Sequence, residues 1–168
     1  ETLYGTNMGQ WRVIDALTTL AFDYPPRAEF FRSELENYLV FSRDFGFDVF
    51  SVNGSYAGAI GIPQFMPGSY LKYAVDFDGN GKTDLRGSPV DAIGSVANFL
   101  VKHGWRPGEP ALLPATLSGN AWRPYADGTV LPKFPLAELA KAGIAFSGAE
   151  PATQGILIEL SNRDEPAE

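Results

Sequence analysis

Hydrophobic positions in the first hundred residues recur at helical spacing. Val13, Ile14, Leu17, Leu20 and Ala21 form one apolar stripe, which predicts a helix ending before the Pro25-Pro26 pair. Pro26 is placed to open a second helix, with Ala28, Phe31, Leu35, Tyr38 and Leu39 on its inner face. The charges of Arg27, Glu29, Arg32, Glu34 and Glu36 surround that face, and Gly46 marks where the helix frays. From Asp48 to Gly61 glycine and small residues dominate, as in a loop that makes close backbone approaches. A short helix is expected from Ser69 to Val75, after Pro67. A longer one follows Ser88, with Ser88, Pro89 and Asp91 at its N-cap, N1 and N3 positions. Its inward face is read as Ile93, Val96, Ala97, Leu100 and Val101, and its stop as Gly104.

Beyond Trp105 the pattern changes, and proline and glycine become frequent. The stretch AWRPYADGTVLPKF carries an Asp127-Gly128 turn signal between two expected strands. Pro135 to Ala142 reads as a short helix stopped by Gly143, and Gly155 to Leu160 as a strand. The expectation is a mainly α protein with a helical core at 1–108 and a small α/β appendage at 109–168. The boundary falls between Arg106 and Pro110. The tail SNRDEPAE has no apolar pattern and is expected to fray.

Composition narrows the function classes. A formal charge of -7 with a pI near 4.7 and no run of Lys or Arg speaks against a nucleic-acid partner. There is no cysteine, hence no disulfide framework, thiolate metal site or cysteine nucleophile. Apolar runs such as AIGSVANFLV reach about half the ~20 residues of a membrane span. A single histidine, His103, ends the long helix, where a solvated role beside the helix dipole is the ordinary one. No GxSxG and no phosphate-binding glycine loop is present, and nothing calls for an organic cofactor.

The sharpest spacing is DFDGNGKTD. Hard cations such as Ca2+ take six to eight oxygens, supplied by alternate positions of a loop that turns sharply at a glycine. Asp76, Asp78 and Asn80 occupy positions one, three and five, Gly81 position six, the Lys82 carbonyl position seven and Asp84 position nine. Position twelve, where an EF-hand places a bidentate Glu, is Gly87. Asp91 is the candidate substitute, although Ser88 and Asp91 also form a capping pair that needs no metal. The expected ion is a structural Ca2+ that neutralises the clustered carboxylates and ties the short helix to the long one.

At the level of whole segments, ETLYGTNMGQWRVIDALTTLAFDYPPRAEFF, NGSYAGAIGIPQFMPGSYLKYAVDFDGNGKTDL and SPVDAIGSVANFLVKHGW resemble the lytic murein transglycosylase B family of bacterial cell-wall enzymes. The resemblance is dense to Trp105 and looser from Pro107 on. It implies a lysozyme-like core and cleavage of the β-1,4 bond between N-acetylmuramic acid and N-acetylglucosamine without water. One Glu serves as general acid and then as base on the C6 hydroxyl, closing a 1,6-anhydro ring. Such chemistry needs a single carboxylic acid kept protonated in an apolar cleft, and no second carboxylate, because the substrate supplies the nucleophile. The family motif E-T/S-x-F/Y-G places that acid on Glu1. The resemblance further implies that Ser55 lies near the acid, that Gln64 contacts sugar, and that Phe65, Met66 and Tyr70 wall the cleft. Packing is the competing reading for Phe65 and Met66; Arg27 stands where it could reach substrate carboxylates, but a solvated helix charge is the leading reading for it. The metal positions correspond to Asp76, Asp78, Asn80, the Lys82 carbonyl and Asp91.

The implied partners are peptidoglycan glycan strands and other cell-wall enzymes, and the implied location is the periplasm or outer membrane of a Gram-negative bacterium. The rival reading is a calcium-stabilised glycan-binding module that does not cleave. Both ends are read as incomplete. An α-amino group on Glu1, with a pKa near ~8, would lower the carboxyl pKa beside it, so the expectation is an active parent protein and a weak or inert isolated chain.

Overall fold

The computed structural model describes residues 2–158, which fall in two compact units, Glu1–Trp105 and Arg106–Glu168. The first is helical. A two-residue strand β1 (Trp11–Arg12) leads directly into α1 (Val13–Asp23); a 3-10 turn over Pro25–Arg27 follows, then α2 (Ala28–Phe45), which ends at Gly46 in the left-handed conformation. Strand β2 (Asn53–Gly54) pairs antiparallel with β1, Trp11 opposite Gly54. Helix α3 (Pro67–Tyr73) begins at its proline, and α4 (Pro89–Lys102) starts under the Ser88 cap, whose Oγ accepts from the Asp91 N–H at 3.2 Å. Gly104 follows at φ 92°.

The core of this unit is built where α1 crosses α2. Val13, Leu17 and Ala21 of α1 are fully buried against Phe31, Tyr38 and Phe41 of α2, with Val52, Ile60, Phe65, Tyr70 and Leu85 closing the cluster. Phe41 is its aromatic hub, 4.8 Å from the Tyr70 ring, 5.5 Å from Phe47 and 6.0 Å from Tyr38. The inner face of α2 is rotated from the expected one. Leu39 is 48% exposed, and Glu34 and Ser42 take inward positions beside Phe31, Tyr38 and Phe41. Glu34 is drawn in because its Oε2 accepts from the Gly68 N–H at 2.8 Å, at the open start of α3.

Helix α4 departs further from expectation. Ile93, Val96, Leu100 and Val101, read as its inward face, are exposed, and the buried residues are Asp91, Ala92, Gly94 and Ser95. The small face is what the Phe77 side chain and the 73–84 segment leave room for. A Cβ on Gly94 would lie 2.3 Å from Cγ of Phe77. Ser95 Oγ accepts from the Val75 N–H at 2.9 Å, and Asn98 Nδ2 donates to the Tyr73 carbonyl at 2.9 Å. Hydrogen bonds to otherwise unpaired main-chain groups, rather than apolar area, decide which side of α4 faces in.

The second unit holds four two-residue strands, one α-helix and a 3-10 turn over Arg123–Tyr125 among the described residues. Strand β3 (Thr116–Leu117), β4 (Phe134–Pro135), helix α5 (Leu136–Lys141), β5 (Ile144–Ala145) and β6 (Gln154–Gly155) follow in order, with β3 pairing β5 and β4 pairing β6, both antiparallel. Leu136, Leu139 and Ile144 form its small core. The expected hairpin around Asp127-Gly128 is not formed. Asp127 Oδ1 accepts from the Thr129 N–H and its Oδ2 pairs with Lys133, which closes 127–133 as a loop of its own and sends Phe134 to Gly155 for pairing. The strand read over Gly155 to Leu160 contributes Gly155 to β6; 156–158 are not in a strand, and 159–160, like the tail, lie outside the described residues. No described helix is long and apolar enough to cross a membrane.

Candidate functional site

The segment that follows Glu1 is fastened along a compact turn over 53–65. Thr2, 8% exposed, donates its hydroxyl to the Ile62 carbonyl at 3.0 Å and accepts from the Gly5 N–H at 3.4 Å. The Met8 carbonyl accepts from Gln64 Nε2 at 3.2 Å. Gly9, at φ 98°, lies so close to the turn that a Cβ there would be 2.0 Å from the Gly54 carbonyl oxygen. Glycine is the residue that allows this approach.

The turn is organised by its own polar groups. Ser55 Oγ accepts from the Ala59 N–H at 3.0 Å and the Ala57 N–H at 3.3 Å, so the O–H is the group Ser55 has to offer a ligand. Gln64 adopts φ 53°, a left-handed conformation that costs a non-glycine residue about 1–2 kcal/mol. Its Nε2 donates to Gly61 O at 2.8 Å as well as to Met8 O, which spends both amide hydrogens and leaves Oε1 as an oriented acceptor. Ile60 and Phe65 close the turn through reciprocal backbone hydrogen bonds of 2.7 and 3.1 Å.

The second constellation is the Asp/Gly/Asn loop. Asp76 accepts from the N–H groups of Gly79, Asn80 and Gly81 at 2.7–3.1 Å, Asp78 from Asn80 at 3.1 Å, and Asn80 Oδ1 from Lys82 at 2.9 Å. Asp91, fully buried in the first turn of α4, accepts from Phe77 and Asp84 at 2.9 Å and from Asp78 at 3.4 Å. The Asp84 N–H above all, with those of Phe77 and Asp78, holds the Asp91 carboxyl below the usual carboxylate range against the burial that would raise it. Carboxylate oxygens of Asp76, Asp78 and Asp91 lie within 4.8 Å of one another. Asp84 turns away and caps its own turn, accepting from Arg86 and Gly87 at 2.9 Å. Three converging carboxylates suit a hard divalent cation, whose charge would relieve their mutual repulsion.

The transglycosylase SLT domain matches residues 1–167. The chain belongs to the lytic murein transglycosylase B family. Membrane-bound lytic murein transglycosylase B of Escherichia coli K12 is 46% identical over 144 residues, 86% of this chain and 38% of that protein. Soluble lytic transglycosylase SltB1 from Pseudomonas aeruginosa superposes with a TM-score of 0.84 at 44% identity, covering 95% of this chain and 52% of that one. The Escherichia coli lytic transglycosylase Slt35, solved in complex with calcium, matches at 42% identity with a TM-score of 0.76, over 94% of this chain and 49% of that one. The chain thus spans about half or less of the length of these relatives.

Within this lytic transglycosylase fold the anticipated residues separate into groups. Ser55 and Gln64 stand on the turn that Thr2 and Met8 clasp. Met66 is half-buried at the N-cap of α3. Phe65 and Tyr70, expected as cleft walls, are core residues at 8% and 2% exposure. Phe65 packs 5.7 Å from Phe99, and the Tyr70 hydroxyl donates to Thr83 O at 3.2 Å and accepts from the Leu85 N–H at 3.1 Å. They support the turn and the Asp/Gly/Asn loop from behind. Glu1 lies outside the described residues. Arg27 sits over the Phe30 ring at 4.4 Å, and His103 stacks on Phe99 with centroids 4.0 Å apart. Thr2 and Glu34 are not singled out by the sequence pattern; a polar residue at a buried helical position, i+3 from Phe31, is the available signal for Glu34.

Proposed function

We propose that this chain carries the acid and part of the sugar-contacting surface of a peptidoglycan lytic transglycosylase. The observation that carries this reading is the family match over residues 1–167, which includes ETLYG, together with the clasp that lays the segment after Glu1 on the Ser55–Gln64 turn. Glu1 protonates the glycosidic oxygen as the bond from C1 of N-acetylmuramic acid to N-acetylglucosamine breaks. Its carboxylate then removes the proton of the C6 hydroxyl while O6 bonds to C1, so the acid is regenerated and no water is consumed. A neighbouring hydroxyl of the same sugar is an intramolecular nucleophile, and its effective concentration far exceeds that of an external one. Ser55 supplies a hydroxyl donor and Gln64 an oriented acceptor for sugar O–H or acetamido N–H groups, and Met66 an apolar edge.

Asp76, Asp78, Asn80, the Lys82 carbonyl and Asp91 would hold a Ca2+ ion, with a structural role: it would fasten the start of α4 to the segment behind the turn. The calcium complex of Slt35 and the convergence of the three carboxylates support that assignment. The substrate, murein, places the working protein in the bacterial cell envelope, in the periplasm or at the outer membrane.

Digestion of murein sacculi with the full-length protein, followed by mass spectrometry, tests the proposal. Fragments ending in 1,6-anhydromuramic acid are expected. Reducing ends alone would indicate a hydrolase, and saturable glycan binding without products would indicate a binding module. Glu1→Gln should abolish cleavage and retain binding.

A further inference from the structure

The geometry points to Thr2 as a positioning residue for the reaction, acting through the backbone of the acid that precedes it. This rests on the transglycosylase reading of Glu1. Thr2 is one of the few buried polar side chains among the described residues, and its hydroxyl is used in both directions, to Ile62 O at 3.0 Å and from Gly5 N at 3.4 Å. Its carbonyl accepts from the Asn7 N–H at 2.9 Å, so the loop 2–7 is closed on itself at the same residue that ties it to the turn. Glu1 is joined directly to Thr2 in the sequence.

The bond to Ile62 links residues 60 apart in sequence. Ile62 in turn donates its N–H to Leu85 O at 2.8 Å, and Gly5 meets the Ile62 side chain closely enough that a Cβ would lie 3.1 Å from Cγ1. Two residues beyond Ile62 stands Gln64, whose amide holds Met8. Thr2 therefore sets the distance between the start of the chain and the sugar-facing turn, while Gln64 fixes the far end of the same clasp. A shift of about 1 Å in a reacting group costs on the order of 100-fold in rate, and the Thr2 hydroxyl is the group that prevents such a shift at this end.

The test is Thr2→Val, which keeps shape and volume and removes the hydroxyl, beside Thr2→Ser, which keeps the hydroxyl, both in the full-length protein acting on murein. Thr2→Val should lower kcat about 10- to 100-fold with KM changed less than twofold, and Thr2→Ser should restore at least about half of wild-type kcat. Melting temperature and glycan binding of each variant are measured alongside. A kcat above half of wild type in Thr2→Val overturns the role of Thr2 and leaves the transglycosylase reading intact. Equal losses in Val and Ser variants, or a loss of binding and melting temperature that accounts for the loss of rate, also overturn it. A wild-type protein that yields no 1,6-anhydro ends overturns the underlying reading, and this role with it.

Discussion

Helices α1 and α4 carry apolar stripes of similar clarity, yet the first unit buries one and turns the other outward. Val13, Leu17 and Ala21 are at 0% exposure, whereas Ile93 is 70% and Val101 57% exposed. The difference lies in what each helix packs against. Helix α1 meets the side chains of α2, and apolar area dominates that contact. Helix α4 meets main chain, the segment from Tyr73 to Asp84, whose N–H and C=O groups need partners. An unpaired buried N–H costs about 1–3 kcal/mol, so the polar, small face of α4 goes inward. Spacing reveals which residues share a face; the polar groups waiting on the other side decide which face is used.

If that account is right, removing the groups that tether α4 should hurt more than removing its most hydrophobic side chains. The largest effect is expected from Asp91→Ala, because it leaves the N–H groups of Phe77, Asp78 and Asp84 without their shared acceptor and removes one of the three converging carboxylates. Thermal unfolding with and without EDTA reads both consequences. The native protein should lose melting temperature on chelation, since an ion that binds only the folded state stabilises it, and Asp91→Ala should start lower and respond little to the chelator. A variant as stable as wild type would break the comparison at its root.

Next in size is Leu17→Ala, the matching truncation on α1. Leu17 is fully buried, and shortening such a residue costs about 2–5 kcal/mol from lost transfer energy and the cavity left behind. Denaturant titration should show the midpoint fall with little change in slope.

The same contrast explains what can be read from the chain alone. The boundaries of α1, α2 and α4 are legible because Pro25, Gly46, Ser88-Pro89 and Gly104 act locally, through φ restriction and capping. The Asp/Gly/Asn loop is legible because Asp76, Asp78 and Asn80 stand at alternate positions of one short stretch. Thr2, Glu34 and the inward face of α4 are not, since each is fixed by a backbone partner 60, 34 or 7–25 residues away that no periodicity reports. Tyr70 misleads for a related reason. An aromatic residue next to the Ser55–Gln64 turn fits a cleft wall, and only the contacts to Thr83 and Leu85 show its hydroxyl satisfied inside the protein.

Tyr70 joins the two kinds of packing, its ring in the cluster around Phe41 and its hydroxyl on the backbone of Thr83 and Leu85. Tyr70→Phe should keep the ring contacts and leave the Leu85 N–H unpaired, a loss of about 1–3 kcal/mol. Burial pushes the phenol pKa of Tyr70 above its ordinary value near 10, as it does for Tyr38. The unfolded chain therefore loses these protons first as pH rises, so stability falls above about pH 10. Urea titrations at about pH 9 and about pH 11, on either side of that ordinary phenol value, should show a smaller pH-dependent loss in Tyr70→Phe than in wild type. An equal loss would mean that the hydroxyl is not buried as described.

The smallest effect is expected where hydrophobicity is greatest. Ile93 stands 70% exposed on the outer side of α4, where a polar helix former gives up little burial and little propensity. Ile93→Gln should change the stability of this chain by no more than about 0.5 kcal/mol, the usual range for surface substitutions. Paired with Leu17→Ala in the same titration series, it isolates the point that separates the two helices, since both changes remove an aliphatic side chain from an apolar stripe. A cost above about 2 kcal/mol for Ile93→Gln, the range of a core truncation, would place that stripe in a core and reverse the assignment of the faces of α4.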